Sequence, residues 1–223
     1  MLIQRAGSGT LPPPGFVPPP WESLALQWNT VPAPSNNSIT LGPASVTLGH
    51  EDCEAEDKLE GIAKDVDGHV FGWDNESPER KVDVRAFRMD WRPVSNREFE
   101  TFWKAGGTEN LGMPGSWVEQ DGIIMVCLSF PVLVRVFTSL VAPQVRTMYG
   151  PVSMDIAQHW PVLTSYDHFL MYAKSKGGRL PTEPELRLFF DTYDVGYEGG
   201  ANSGFRNWHP VPSVSIFVLQ HSA

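Results

Sequence analysis

Six histidines and two cysteines are the side chains of this 223-residue chain best equipped to hold a metal or form a covalent bond. Cys53 and Cys127 stand far apart and belong to no Cys-x-x-Cys or Cys/His pattern, which excludes a disulfide framework and a structural zinc site. A histidine-held metal centre needs two or three imidazoles brought to about 2 Å of one ion. His50, His69, His159, His168, His209 and His221 show no such pairing. Only His159 and His168 are near neighbours in sequence, and they flank a predicted helix start, so their rings do not share a face. All six are read as structural or solvent-facing. No catalytic residue and no metal ligand is assigned to this chain, and its substrate-binding residues are unknown at this level.

Three other patterns invite a chemical reading and are better explained by backbone geometry. Asp65-Val66-Asp67-Gly68 begins like a calcium loop, but the third acidic position and the closing glutamate are missing, leaving a solvated acidic turn. The run from Gly196 to Asn202 is glycine-rich without the strand-turn-helix context of a phosphate loop. Arg179, Thr182 and Glu183 are read as architecture: the threonine caps a helix, and the charged pair ties that cap to nearby loops. No Gly-x-Ser-x-Gly nucleophile elbow occurs, so serine hydrolysis is set aside.

The elements that would position such groups can be read from pattern. With 41% apolar residues the chain can build a core, while 20 glycines, 20 prolines and only 19% charged residues exclude a helical bundle. Ser95-Asn96-Arg97-Glu98 is a capping box followed by Phe99, Phe102 and Trp103 on one face, with Gly106-Gly107 as the stop. A second helix begins near Ser165, buries Phe169, Leu170, Tyr172 and Ala173, and halts at Gly177-Gly178. A third opens with Thr182-Glu183-Pro184-Glu185 and buries Leu186, Phe189, Phe190 and Tyr193. Val46-Thr47-Leu48 is a strand, and Lys81 to Met89 is a strand that changes parity at a bulge or bend. Between Thr10 and Ser38 eight prolines predict an extended connector that continues neither helix nor sheet. Its Phe16, Trp21, Leu24, Leu26 and Trp28 predict docking along the surface of a body, rather than service as a proline-rich ligand.

Seventeen basic against 26 acidic residues give a net charge of −9, which opposes binding to nucleic acid or anionic lipid. The apolar run from Ile123 to Val141 is interrupted by Pro131 and Arg135, whereas a membrane span needs about 20 unbroken apolar residues. Its β-branched content predicts a strand pair if room exists. No secretory leader is seen at the start, so a reduced, cytoplasmic setting is expected.

Taken together, Ser77 to Val82, Arg92-Pro93-Val94-Ser95-Asn96-Arg97-Glu98-Phe99, Trp160-Pro161-Val162 and Gly178-Arg179-Leu180-Pro181-Thr182-Glu183-Pro184-Glu185-Leu186 resemble the formylglycine-generating enzyme, or sulfatase-modifying factor, family. Leu2 to Thr10, Phe71 to Glu76, Val145 to Val152 and Gly204-Phe205-Arg206-Asn207-Trp208-His209-Pro210 are similar, within it, to the C-terminal module of the fungal iron-dependent hercynylcysteine sulfoxide synthases of ergothioneine biosynthesis. The resemblance covers roughly residues 1 to 122 and 145 to 212. It implies an α+β, C-type-lectin-like fold with a proline-rich N-terminal arm. It implies a domain at 46–212 preceded by a connector at 1–45. It also implies Fe(II) as the cofactor of the full-length enzyme, held by histidines of an upstream helical domain, with hercynine and cysteine or γ-glutamylcysteine as substrates. Formylglycine generation would need a late reactive cysteine pair, which Cys53 and Cys127 do not supply.

The chain departs from that pattern in two places. Residues 123–144 interrupt it, and the apolar tail 213–223 replaces the Val-Trp-Glu-Trp-type, Gly-Gly-Ser-Trp-type and arginine-bearing segments that close the pocket in relatives. Both segments are expected to be translated intron or frame-altered sequence. The fold is then incomplete at its C-terminus and the chain inactive alone. The rival expectation is a non-catalytic lectin-like binding or scaffold module.

Overall fold

Alternating sequence forms strand pairs wherever two such runs face each other. In the computed structural model, which describes residues 14–30, 37–50, 75–107, 111–118, 123–125, 135–137, 143–193, 202 and 206–212, Ser38–Leu41 (β1) and Ala44–Leu48 (β2) run antiparallel to Arg80–Val84 (β3) and Phe87–Asp90 (β4). β2 pairs with β3, from Ala44 opposite Val84 to Leu48 opposite Arg80, and β1 pairs with β4, from Leu41 opposite Phe87 to Ser38 opposite Asp90. One register runs through both pairs, so Gly42 and Pro43 lie opposite Arg85 and Ala86 and split a single ribbon in two. That is the bend predicted between Lys81 and Met89. Gly42 has φ +74°, and a Cβ there would stand 2.9 Å from the Arg85 carbonyl oxygen, so only glycine fits the corner. Val46, Leu48 and Val84 are buried together, with Val82, Phe87 and Leu188 packed against them.

The Ca²⁺-like turn at Asp65–Gly68, Cys53, Cys127, His69, His221, the glycine run 196–201 and the tail 213–223 lie outside the described residues. So does most of the 123–144 segment, of which Ile123–Met125 (β6) pairs antiparallel with Arg135–Phe137 (β7).

The chain divides into two compact units. Ser38–Trp91 with Pro181–Val195 and Val218–Ala223 contains the split ribbon and the helix Glu183–Thr192; Met1–Asn37, Arg92–Leu180 and Gly196–Phe217 form the other. In the second unit Trp21–Asn29 is a helix (α1), Asn96–Phe102 is α2, and Trp117–Val118 (β5), Gln144–Thr147 (β8) and Gly150–Ser153 (β9) make an antiparallel sheet in the order β5-β8-β9. Met154–Ala157 (α3) follows β9, Tyr166–Ser175 is α4 and Glu183–Thr192 is α5.

α1 corrects the expectation that no helix forms between Thr10 and Ser38. The nine residues from Trp21 to Asn29 contain no proline, and Pro20 stands at the N-cap, where its missing N–H is no loss. α2 begins with the predicted box: Glu98 N–H donates to Ser95 Oγ at 3.3 Å, and Ser95 N–H donates to Glu98 Oε2 at 2.9 Å. The chain continues from α2 into a π-helical turn at Trp103–Gly107, where Gly106 breaks the helical path at φ +119°. α4 stops where glycine predicts, with Gly177 at φ +72° and Gly178 N–H donating to the Ala173 carbonyl at 2.9 Å. Its Phe169, Leu170, Tyr172 and Ala173 reach only half-burial.

α5 also differs from expectation. Glu185 and Phe189 are its buried residues, whereas Phe190 is 54% exposed. The buried stripe is turned by one position because the Glu185 carboxylate folds back to accept from the Thr182 N–H (2.8 Å) and the Thr182 hydroxyl (3.0 Å), taking Leu188 rather than Phe190 inward.

Candidate functional site

The start of α2 is where charge and burial concentrate. Its first-turn amides would be unpaired, but residues 158–160 supply carbonyls: Asn96 N–H donates to Trp160 (2.8 Å) and Arg97 N–H to Gln158 (3.0 Å). Asn96, 1% exposed, donates from Nδ2 to the Ala157 carbonyl at 2.9 Å and accepts from Trp117 Nε1 at 2.9 Å. One buried amide thus joins α2, α3 and β5.

On the outer side of this junction Glu98 is saturated with donors. Arg92 Nη1 donates to Oε2 at 3.1 Å and Nη2 to Oε1, while the Ser95 hydroxyl donates to Oε2 at 2.7 Å. Burial pushes the Glu98 carboxyl up, but hydrogen bonds from Arg92 and from the Ser95 backbone and hydroxyl outweigh it and hold it below the usual carboxylate range. His159 sits in the same field. Its pKa is lowered by burial first and then by Arg97 and Arg92, against a smaller opposing pull from Glu98. At neutral pH the group is therefore a permanent carboxylate, two guanidinium cations and a neutral imidazole.

Beside it an open cleft of about 680 Å3 lies between α2 and α4, with Arg97 and Glu98 at one end, Lys176 among its other lining residues, and Phe102, Ala105 and Tyr172 along it. The two helices meet through Phe99 and Tyr172 (5.8 Å) and through Phe102 and Tyr172 (5.4 Å, edge to face).

A second cluster surrounds Trp160, which is fully buried. Trp21 and Trp28 approach its ring at 5.4 and 5.9 Å, and His209 meets Trp21 at 5.3 Å. His209 Nδ1 donates to the Pro210 carbonyl at 2.8 Å, which fixes its tautomer. Trp21 and Trp28 pack with the core, whereas Val17 and Leu26 of the same stretch are 79% and 70% exposed.

The sequence-singled residues are dispersed over these features. His168 stacks on Phe99 and is hydrogen-bonded through Nδ1 to the Thr164 hydroxyl. His50 N–H donates to the Glu76 carbonyl at 3.2 Å. Arg179 donates to the Leu180 carbonyl at 3.0 Å, and Glu183 meets Arg80 at 3.9 Å with both side chains exposed. Among the described residues no three His, Cys, Asp or Glu side chains converge on a point where a metal ion would sit. The Arg92–Glu98 pair and the position of His159 are missed by sequence reading. Arg92, Ser95 and Glu98 are legible as a cap, but the approach of residues 158–160 is a contact between distant segments.

Similarity to known proteins bears on this arrangement. A family model described as sulfatase-modifying factor enzyme 1-like domain matches residues 30–189. Ergothioneine biosynthesis protein 1 of Schizosaccharomyces pombe is 33% identical over 214 residues, 88% of this chain and 24% of that protein. The Neurospora crassa protein of the same name is 31% identical over 208 residues, 87% of this chain and 22% of that protein. Hercynine oxygenase of Mycolicibacterium thermoresistibile is 34% identical over 131 residues, 56% of this chain and 26% of that protein. The chain thus spans about a quarter of the length of the curated relatives it matches.

Proposed function

The chain belongs to the sulfatase-modifying factor enzyme 1-like domain family, and from that membership we propose that it is part of an iron(II)- and O2-dependent sulfoxide synthase of ergothioneine biosynthesis. The observation that carries this reading is the similarity to ergothioneine biosynthesis protein 1 over 88% of the chain, with helices and small antiparallel sheets of the kind such a module uses. The reaction joins the thiol of cysteine or γ-glutamylcysteine to a carbon of hercynine. The S–H and C–H hydrogens leave with one oxygen atom as water, and the other oxygen becomes the sulfoxide. Fe(II) would supply oxygen activation when bound, held in this reading by imidazoles of a helical domain of the parent enzyme. Within this proposal the domain has a C-type-lectin-like fold over 46–212, preceded by a proline-rich arm.

In this reading the chain's own residues build a rigid wall rather than a reacting centre. Asn96 locks α2 to α3 and β5, and burial, reinforced by Arg97 and Arg92, keeps His159 neutral beside the Glu98 carboxylate. Incubating the purified chain with Fe(II), O2, hercynine and γ-glutamylcysteine is expected to give no sulfoxide. Adding the iron-binding domain of a relative together with its C-terminal pocket-closing segments is expected to restore turnover. Turnover by the chain alone overturns the inactivity. Failure of every complementation, with stable folding, favours the non-catalytic binding or scaffold module.

A further inference from the structure

We propose that the cleft between α2 and α4 is a binding site for a small carboxylate with an aromatic or aliphatic body. Its volume of about 680 Å3 falls in the range of small-molecule sites. Phe102, Ala105, Met171 and Tyr172 give it an apolar lining. Two cations share that lining, and among the described residues neither is paired with a carboxylate. The Arg97 guanidinium makes no hydrogen bond or ion pair among the described residues, and the Lys176 ammonium sits 5.6 Å over the Tyr172 ring rather than against a carboxylate. The carboxylate that also lines the cleft, Glu98, is already neutralised by Arg92. The cleft is thus locally cationic in a chain of net charge −9.

The donor set selects the anion. A phosphate would draw on the free amides of a helix start, but those of α2 are taken: Asn96 by Trp160, Arg97 by Gln158, Glu98 by Ser95 Oγ and Phe99 by the Ser95 carbonyl. What remains is one planar guanidinium fork and one ammonium, which suits a planar carboxylate.

The test is a titration of the full chain with 2-naphthoate and with neutral 2-naphthamide, followed by amide NMR shifts. The expected result is saturable binding of naphthoate, with shifts at Arg97–Gly106 and Met171–Lys176. The double variant Arg97→Gln/Lys176→Gln should weaken naphthoate about tenfold or more and leave naphthamide unchanged. Ala105→Trp, which fills the cleft, should abolish both. An unsaturable titration, shifts centred elsewhere, or unchanged naphthoate affinity in a double variant with a normal melting curve overturns the assignment.

Discussion

Glu98 and His159 show how one small field can set two titrations in the same direction. Both folded-state pKa values are depressed, so each group contributes stability that is present above its unfolded pKa and lost as pH falls through the folded value. For His159 the loss begins below its ordinary 6.5, and for Glu98 below 4.5. Denaturation midpoints measured across pH should therefore fall in two stages. His159→Gln should flatten the upper stage and Glu98→Gln the lower, and curves that keep their shape would contradict the assignment. Asn96 makes a harder demand. Replacing it with Ala leaves the Trp117 indole N–H and the Ala157 carbonyl buried and unpaired, a cost of about 2 to 4 kcal/mol in urea unfolding. Nothing at the sequence level marks Asn96 as more than the second residue of a capping box; its importance comes from a partner 61 residues away.

Local signals and element boundaries agree closely, because caps and turns are satisfied within a few residues. Ser95, Thr182 and Gly177 stand where the pattern puts them. Thr182→Ala removes the hydroxyl that steadies Glu185 and should cost about 1 kcal/mol in a melting curve. Gly49 is a stricter position. At φ +75° after β2, it places any Cβ 2.1 Å from the Glu76 carbonyl oxygen, so Gly49→Ala should destabilise by about 2 to 4 kcal/mol through both strain and clash. A circular-dichroism melt within a degree of the parent would refute that. Burial within helices was less legible: α5 turns Leu188 inward and leaves Phe190 exposed, since apolar spacing allows two adjacent stripes and the buried Glu185 cap chooses between them.

For the whole chain, a net charge of −9 gives a direct expectation: a labelled short DNA duplex should show no binding at about 0.15 M salt, and saturable binding there would contradict the electrostatic argument. Family membership was written into the chain as well, because the Arg-Pro-Val-Ser-Asn-Arg-Glu-Phe and Gly-Arg-Leu-Pro-Thr-Glu runs are local caps and turns with demanding composition. Composition, caps, glycine corners and strand alternation were thus determined by the sequence itself, since each depends on interactions spanning a few residues. Folding alone decided that residues 158–160 close the start of α2, that Gly42-Pro43 opposes Arg85-Ala86, and that Arg97 and Lys176 share one cleft. Such meetings depend on packing between segments tens of residues apart, and no local pattern encodes which surfaces will find each other.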